Sequence, residues 1–194
     1  FYSPYAYLSE ARRFGIEILP PDINHSHMDY RGCKKQIRMG FMSIKHLKAH
    51  TVKEILEERK GGPFTSLEDF FFRIMPDLSD AMALTNAGCL YSLSPGLSHQ
   101  QIAYRVALFC LRDKSTSMLP ASVSTSKSIQ KIDNQQDDLS HSNRSRLEVE
   151  SFGFPISSHP LTPYLPIIGH RVRKAKDLHH YVGCTIHLAG VYIT

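Results

Sequence analysis

The stretch from Ile37 to Arg73, IRMGFMSIKHLKAHTVKEILEERKGGPFTSLEDFFFR, decides the fold class of this chain. Apolar residues recur twice in it at the i, i+3, i+4 spacing that is typical of an amphipathic helix. Helices of this length are marginal on their own in water, so they must share a core with their neighbours. The apolar positions are Val52, Ile55 and Leu56 in the first helix, and Leu67, Phe70, Phe71 and Ile74 in the second.

Short helices are predicted from residue 36 to about residue 113. Ser66 precedes one helix and has Asp69 three residues on, which favours a capped N-terminus. Ser79 is the predicted cap of the next helix, which ends near Ala87-Gly88. A longer helix is predicted from about Ser98 to Leu111, with Ile102, Val106 and Phe109 on one face. The repeating unit is therefore helix, tight turn, helix.

The N-terminal segment carries the signals of one helix followed by a short strand. Ser3 is a favourable N-cap, Pro4 suits the first helical position, and Gly15 permits a left-handed exit after Phe14. Ile16–Leu19 is a candidate strand that two prolines end.

The C-terminal half changes composition twice. Residues 114–143 are rich in serine and lack apolar periodicity, which predicts a flexible linker. Residues 144–181 form a connector that starts with a helix from Arg144 to Phe152. Cys184–Ile193 alternates like a strand, which predicts the first strand of a β domain, truncated in this sequence.

Positive charge is concentrated in one part of the chain. The 194 residues, enough for one domain or two small ones, carry a formal net charge of +5. Residues 34–60 alone hold eight Lys/Arg against three Glu, which equals the surplus of the whole chain. A basic stretch of this kind is typical of a polyanion partner, and it is equally compatible with a solvated helix face.

Several function classes find no support in the residues. No apolar run is long enough to span a membrane. Cys33, Cys89, Cys110 and Cys184 form no C-x-x-C pair, which disfavours a zinc site or disulfide framework and favours a reducing, cytosolic setting. Nucleotide-binding and serine-hydrolase motifs are missing.

Two histidine pairs are the candidate metal ligands. They are His25 with His27, and His46 with His50. Neither has an acidic or cysteine residue at a supporting spacing, so we expect no metal and no catalytic set of residues in this chain. A small metal-dependent hydrolase built on the first pair remains a weak alternative.

Several blocks together resemble the alpha subunit of bacterial DNA polymerase III, the C-family replicative polymerase. They occur in that family's order and cover nearly the whole chain outside the linker. The blocks are YLSEARRFGIEILPPDINHS (residues 7–26), the quoted stretch at 37–73, LTNAGCL (84–90), ESFGFPISSHPLTPY (150–164) and VGCTIHLAGVYIT (182–194).

This resemblance implies a mainly α fold, a tandem helix-hairpin-helix bundle of short helices flanked by an end-of-fingers segment and a truncated OB-type strand. The implied units are residues 1–33 for the end of the fingers, 34–113 for the tandem helix-hairpin-helix domain, 114–143 for the linker, 144–181 for the connector and 182–194 for the first OB strand.

The resemblance further implies that the hairpins bind duplex DNA without reading its sequence. Backbone N–H groups at helix N-termini contact phosphates, and neighbouring cations add counterion release. His46 and Lys48 stand where the family carries hairpin glycines, which weakens the backbone contact at the first hairpin. The second hairpin is placed at Leu84–Leu90. The candidate DNA-binding residues are Lys45, His46, Lys48, Lys53, Gly88 and Arg12. The alternative role for Gly88 is a helix C-cap. The alternative for Arg12 and the neighbouring Arg13 is a surface ion pair.

A second partner is implied in the linker. Gln136 to Ser140 is similar to the short Gln-x-x-Leu-Phe motif by which the family engages the sliding clamp, with Gln136 and Leu139 as the anchors. Ser140 replaces the usual aromatic residue.

The parent protein would be a cytoplasmic DNA-directed DNA polymerase that uses Mg²⁺, contacts duplex DNA and other replisome subunits, and has no membrane partner. Its palm carboxylates are expected outside this chain, so the fragment itself is expected to be inactive. Two alternatives stay open: an error-prone, translesion alpha-like polymerase, and a helix-hairpin-helix scaffold that binds proteins without binding DNA.

Overall fold

The computed structural model describes residues 2–112, 141–169 and 172–191. The described chain is mainly helical with one small sheet, which confirms the predicted fold class. The α-helices are α1 (Pro4–Arg13), α2 (Ala49–Glu58), α3 (Leu67–Ile74), α4 (Leu78–Asn86), α5 (His99–Arg112), α6 (His141–Phe152) and α7 (Leu165–Ile168). The strands are β1 (Glu17–Leu19), β2 (Arg31–Cys33) and β3 (Gln36–Arg38). Short 3-10 helices cover Phe41–Ser43, Arg59–Gly61, Tyr91–Leu93, Thr162–Tyr164 and Ala175–Tyr181. None of the helices described is both long and apolar enough to cross a membrane.

Local capping signals account for most helix boundaries. The Ser3 hydroxyl accepts a hydrogen bond from the Ala6 amide, and Gly15 follows α1 with a φ of +74°. The Ser66 hydroxyl accepts from the Asp69 amide at 3.1 Å, as predicted. The predicted cap Ser79 is wrong, because it already lies inside α4. Asp77 has the extended backbone of an N-cap, and its carboxylate accepts from the Asp80 amide.

The helices share one hydrophobic core, as their lengths require. Helices α4 and α5 pack on each other, and the Phe71 ring of α3 stacks on Phe109 of α5 with centroids 4.9 Å apart. Each large side chain that is fully buried contributes roughly 1.5–3 kcal/mol. The core includes Phe41, Ile55, Phe70, Leu84, Leu90, Ile102 and Val106.

The sheet is small and has the strand order β1-β3-β2. β1 is parallel to β3, and β2 is antiparallel to β3 through the two-residue turn at Lys34-Lys35. β1 confirms the strand predicted at Ile16–Leu19, whereas the helical run predicted from residue 36 is wrong over β3. Three-residue strands are too short for an alternating pattern to reveal them.

The strand predicted for Cys184–Ile193 is not formed in its described part, residues 184–191. The Arg173 amide donates to the His187 carbonyl at 2.9 Å, but no strand ladder develops there. A strand needs a second strand to satisfy its backbone groups, and alternation in one segment cannot supply it.

Candidate nucleic-acid interface

The first hairpin connects a 3-10 turn to α2. The Ile44 amide donates to the Phe41 carbonyl at 3.0 Å, and the chain then turns at His46, whose φ is +64°. Left-handed backbone favours glycine, but His46 adopts it here. The first hairpin therefore makes a left-handed turn without a glycine at this position. Leu47 follows and is buried.

A second hairpin with the same local structure lies 50 residues further along the chain. The Ser94 amide donates to the Tyr91 carbonyl at 3.1 Å, Gly96 turns with a φ of +79°, and α5 begins at His99. Each of its elements has a counterpart in the first hairpin. The matching pairs are Phe41 and Tyr91, His46 and Gly96, Leu47 and Leu97, Lys48 and Ser98, and Val52 and Ile102.

Sequence reasoning missed this second turn and placed it at Leu84–Leu90. Gly88 instead ends α4: its φ is +81°, and the Cys89 amide donates to the Leu84 carbonyl at 2.9 Å. A Cβ at Gly88 would lie 2.9 Å from the Tyr91 ring. The helix C-cap weighed for Gly88 is thus its structural role. The available signal was the 50-residue repeat of large apolar or aromatic residues at three of the matching pairs, Phe41 and Tyr91, Leu47 and Leu97, and Val52 and Ile102.

The start of α2 is held by a buried carboxylate from α4. Asp80 is 1% exposed, and its Oδ1 accepts from the Lys48 amide at 3.3 Å. Its Oδ2 accepts from the Thr51 hydroxyl. Since Lys48 is the residue before α2, this contact joins the first hairpin to α4 and orients both.

Lys48 is less available than the sequence indicates. Its Nζ pairs with the Asp77 carboxylate and lies 4.0 Å from Oδ2 of Asp80. The hydrogen bond to Asp77 raises the pKa of Lys48, and the same bond lowers the pKa of Asp77. Lys48 therefore already has anionic partners within the protein.

Lys45 and Lys53 are exposed, and within the described ranges neither forms an ion pair. The Lys45 amide donates to the Ser151 carbonyl at 2.8 Å, which ties the first hairpin to the end of α6. Its Nζ lies beside Gly153, where a Cβ would be 3.2 Å away. Among the candidate lysines, these two retain an unneutralised charge.

Arg12 and Arg13, in the segment expected to end the fingers, have partners within the protein. Nη2 of Arg12 donates to the Ile156 carbonyl at 2.5 Å, which links α1 to the segment after α6. Arg13 pairs with Glu10 at 3.3 Å, as the surface alternative predicted. DNA binding by Arg12 stays a prediction.

Two of the histidines considered as metal ligands instead lie beside carboxylates of their own segments. Nδ1 of His25 lies 2.7 Å from the Asp22 carboxylate, and Nε2 of His50 lies 3.5 Å from Glu54. Throughout the described ranges, no three His, Cys, Asp or Glu side chains come together as metal ligands would. The clamp anchors Gln136 and Leu139 lie outside the described residues.

Comparison with known proteins places this geometry in a family. Residues 15–101 match the helix-hairpin-helix motif family. The chain is 30% identical over 175 residues to the DNA polymerase III subunit alpha of Borreliella burgdorferi, which covers 81% of this chain and 15% of that protein. The corresponding subunit of Treponema pallidum is 27% identical over 186 residues, which is 90% of this chain and 16% of the relative.

Error-prone polymerases match as well. The error-prone DNA polymerase of Mycolicibacterium paratuberculosis is 34% identical over 91 residues, which is 45% of this chain and 8% of that protein. The chain thus spans less than a fifth of the length of these relatives. With the helix-hairpin-helix match over residues 15–101 and alignments that reach 90% of the chain, it is similar to a segment of the bacterial DNA polymerase III alpha subunits.

Proposed function

We propose that this segment holds duplex DNA, without reading its sequence, through its two hairpins. The observation that carries the proposal is the repeated turn, left-handed at His46 and at Gly96, with a helix starting three residues later in each case. A tandem pair of this kind would contact the duplex at two places on the phosphate backbone.

The chemistry of the contact follows from the helix ends. The first-turn amides of an α-helix have no carbonyl partner within the helix, and the helix dipole favours an anion beside them. α2 and α5 each begin directly after a hairpin turn. Phosphate oxygens are the same at every base pair, so contacts of this type give affinity without sequence preference.

Charge around the first hairpin supports the same partner. Residues 31–53 contain seven Lys/Arg and no Asp or Glu. Each phosphate that a cation neutralises releases counterions and steepens the salt dependence of binding by about 0.9 in a log–log plot. Binding to DNA should therefore weaken strongly as salt is raised.

The test is the affinity of this chain for a fluorescent duplex of about 20 base pairs over a series of salt concentrations. We expect a slope steeper than about −3 that is unchanged for a second duplex sequence. The variant K45Q/K53Q should flatten the slope by about 1–2, whereas K60Q/K174Q, which removes two exposed lysines elsewhere, should change it less. Absent binding at low salt, or a flat slope, would overturn the proposal.

In the whole protein, the duplex held here would be the product of template-directed DNA synthesis with Mg²⁺, behind the polymerase active site and in the cytoplasm. The relatives named DNA polymerase III subunit alpha support this assignment. The relatives named error-prone DNA polymerase support the translesion alternative over 45% of the chain. Gln136 and Leu139 would connect the protein to a sliding clamp, and pull-down of purified clamp by Q136A/L139A and wild-type chains tests that part.

An apolar cleft favours a protein-binding role as the second candidate function. The cleft of about 600 Å³ lies between α3 and α5, and Phe72 at its edge is 78% exposed. Exposed apolar surface of this kind marks protein contacts. If Phe72→Ser abolishes binding of another polymerase subunit, and wild type does not bind DNA, the scaffold function is correct.

A further inference from the structure

A second basic element projects beside the hairpins. The β2–β3 ribbon, residues 31–38, has the sequence RGCKKQIR and contains four cations and no acid. All three residues of β2 are exposed, and β2 is the edge of the sheet, since only β3 pairs with it there. The ribbon therefore presents the residues of β2, the two turn lysines and one backbone edge to solvent, whereas Arg38 is half-buried and donates to the Pro20 carbonyl at 3.0 Å.

The cations of the ribbon repel one another in the free protein. Arg31 and Arg38 occupy directly opposite positions on β2 and β3. Like charges that face each other across strands destabilise the pair. In the described part of the chain no carboxylate forms an ion pair with any of the ribbon's four cations. Glu17 on the neighbouring β1 accepts instead from Gln36 at 2.7 Å.

The turn of the ribbon has a lysine at a position where glycine would adopt the backbone conformation without strain. Lys34 has a φ of +54°, in the left-handed region that glycine adopts without strain. Lys34 and Lys35 together place two ammonium groups at the tip. The tip therefore keeps a cation at a position where the backbone conformation favours glycine.

The ribbon is joined firmly to the first hairpin. β3 continues through Met39 and Gly40 into the 3-10 turn, where the Phe41 amide donates to the His27 carbonyl at 2.9 Å. At Gly40 a Cβ would come within 2.4 Å of the Asp29 backbone, so only glycine permits this crossing. The segments before β2 and after β3 are thus packed together, which fixes the base of the ribbon next to the start of the first hairpin.

We propose that the β2–β3 ribbon is an additional DNA contact, which binds phosphates of the duplex next to those bound by the hairpins. This inference rests on the proposed function and adds a site to it. The ligand is the phosphate backbone, because four cations on a two-stranded ribbon match a row of anions. Binding relieves the repulsion between Arg31 and Arg38.

The test compares two triple variants in the salt-dependent duplex assay. R31Q/K34Q/K35Q removes three ribbon cations, and K60Q/K174Q/K176Q removes three exposed lysines elsewhere. The ribbon variant should flatten the log–log slope by about 2–3 and weaken binding at least about tenfold at low salt. The control has the same net charge and should lose much less. A thermal unfolding curve checks each fold, and K34G/K35Q serves as the milder ribbon variant because glycine suits the turn.

The outcomes separate this proposal from the hairpin function. If K45Q/K53Q flattens the slope and the ribbon variant matches its control, the ribbon proposal is wrong and the hairpin function stands. If the ribbon variant alone flattens the slope, the ribbon is the DNA contact and the hairpin function is wrong. No binding by the wild-type chain overturns both. If the ribbon variant still binds DNA but no longer binds a protein strand along the β2 edge, the ribbon proposal is also wrong. The partner of the ribbon would then be a protein.

Discussion

The carboxylate of Asp80 accepts a hydrogen bond from the Thr51 hydroxyl at 2.5 Å, and both residues are buried. This bond joins the first turn of α2 to the first turn of α4, and the Lys48 amide donates to the same carboxylate. A buried anion with several donors fixes the geometry of the hairpin that it supports.

We expect Asp80→Ala to lower the free energy of unfolding by about 2–3 kcal/mol, because two donors lose a charged acceptor in a buried place. Asp80→Asn should cost less, since its amide oxygen still accepts one bond. Urea unfolding of both variants measures the difference. Equal stability of Asp80→Ala and wild type would show that the hydrogen bonds of Asp80 do not stabilise the fold.

Asp77→Asn should strengthen DNA binding. Asn is as good an N-cap as Asp, so α4 should remain intact, while Lys48 loses its exposed ion-pair partner. The duplex slope should steepen by up to about 0.9. Glu68→Gln, which removes one exposed acid from α3, is the control for the general effect of losing one negative charge on DNA binding. In the background Lys48→Gln, the gain from Asp77→Asn should disappear, and a persistent gain would contradict this explanation.

Substitutions at the left-handed residue of each hairpin should change the free energy of unfolding in opposite directions. His46→Gly removes strain of about 1–2 kcal/mol but adds about 0.5–1 kcal/mol of chain entropy, so we expect a stabilisation of roughly 0.5 kcal/mol. Gly96→Ala introduces the strain and should destabilise by about 1 kcal/mol, although no neighbouring atom obstructs its Cβ. Thermal unfolding checks both, and a stabilising Gly96→Ala would exclude a left-handed turn.

His99 should make the protein sensitive to mild acid. Burial lowers the pKa of His99 below its model-compound value of 6.5, so the folded state favours the neutral ring. Its contribution to stability is complete above pH 6.5 and falls as the pH drops below that value, until it levels off below the folded pKa. Urea unfolding between pH 5 and 8 should show this loss in wild type and less of it in His99→Gln. Exposed His27→Gln serves as the control and should follow wild type.

Cysteine labelling should follow burial. Burial raises the pKa of the Cys89 thiol well above its usual value, whereas Cys33 and Cys184 are exposed. Because the thiolate is the reactive form, iodoacetamide should label Cys33 and Cys184 in the native protein and Cys89 only after unfolding. Mass spectrometry of peptides identifies the labelled sites. Rapid native labelling of Cys89 would contradict its buried position.

Local signals predicted what depends on neighbouring residues. The cap at Ser66, the Pro4 start of α1 and the apolar face of α5 each depend on contacts within one or two turns, and each was confirmed. Ser79 was wrong because Asp77, two residues earlier, has the extended backbone of the N-cap and accepts from the Asp80 amide. Only the backbone conformation chose between them.

The candidate interface could be predicted in part. The basic stretch and the exposed Lys45 and Lys53 follow directly from the sequence. The neutralisation of Lys48 by Asp77, 29 residues away, could not be predicted, nor could the contact of Arg12 with the Ile156 carbonyl, 144 residues away. Such pairs share no sequence period, because the path of the chain between them decides whether they meet.

By itself, the sequence determined the helical class, the positions of most helices and the concentration of positive charge, since these follow from short-range periodicity, capping and composition. Tertiary structure decided which turn repeats the first hairpin, which cations remain unpaired and whether an alternating segment becomes a strand. The physical reason is the same in each case. Hydrogen bonds, ion pairs and strand ladders between distant residues form only when the packed core brings their partners together.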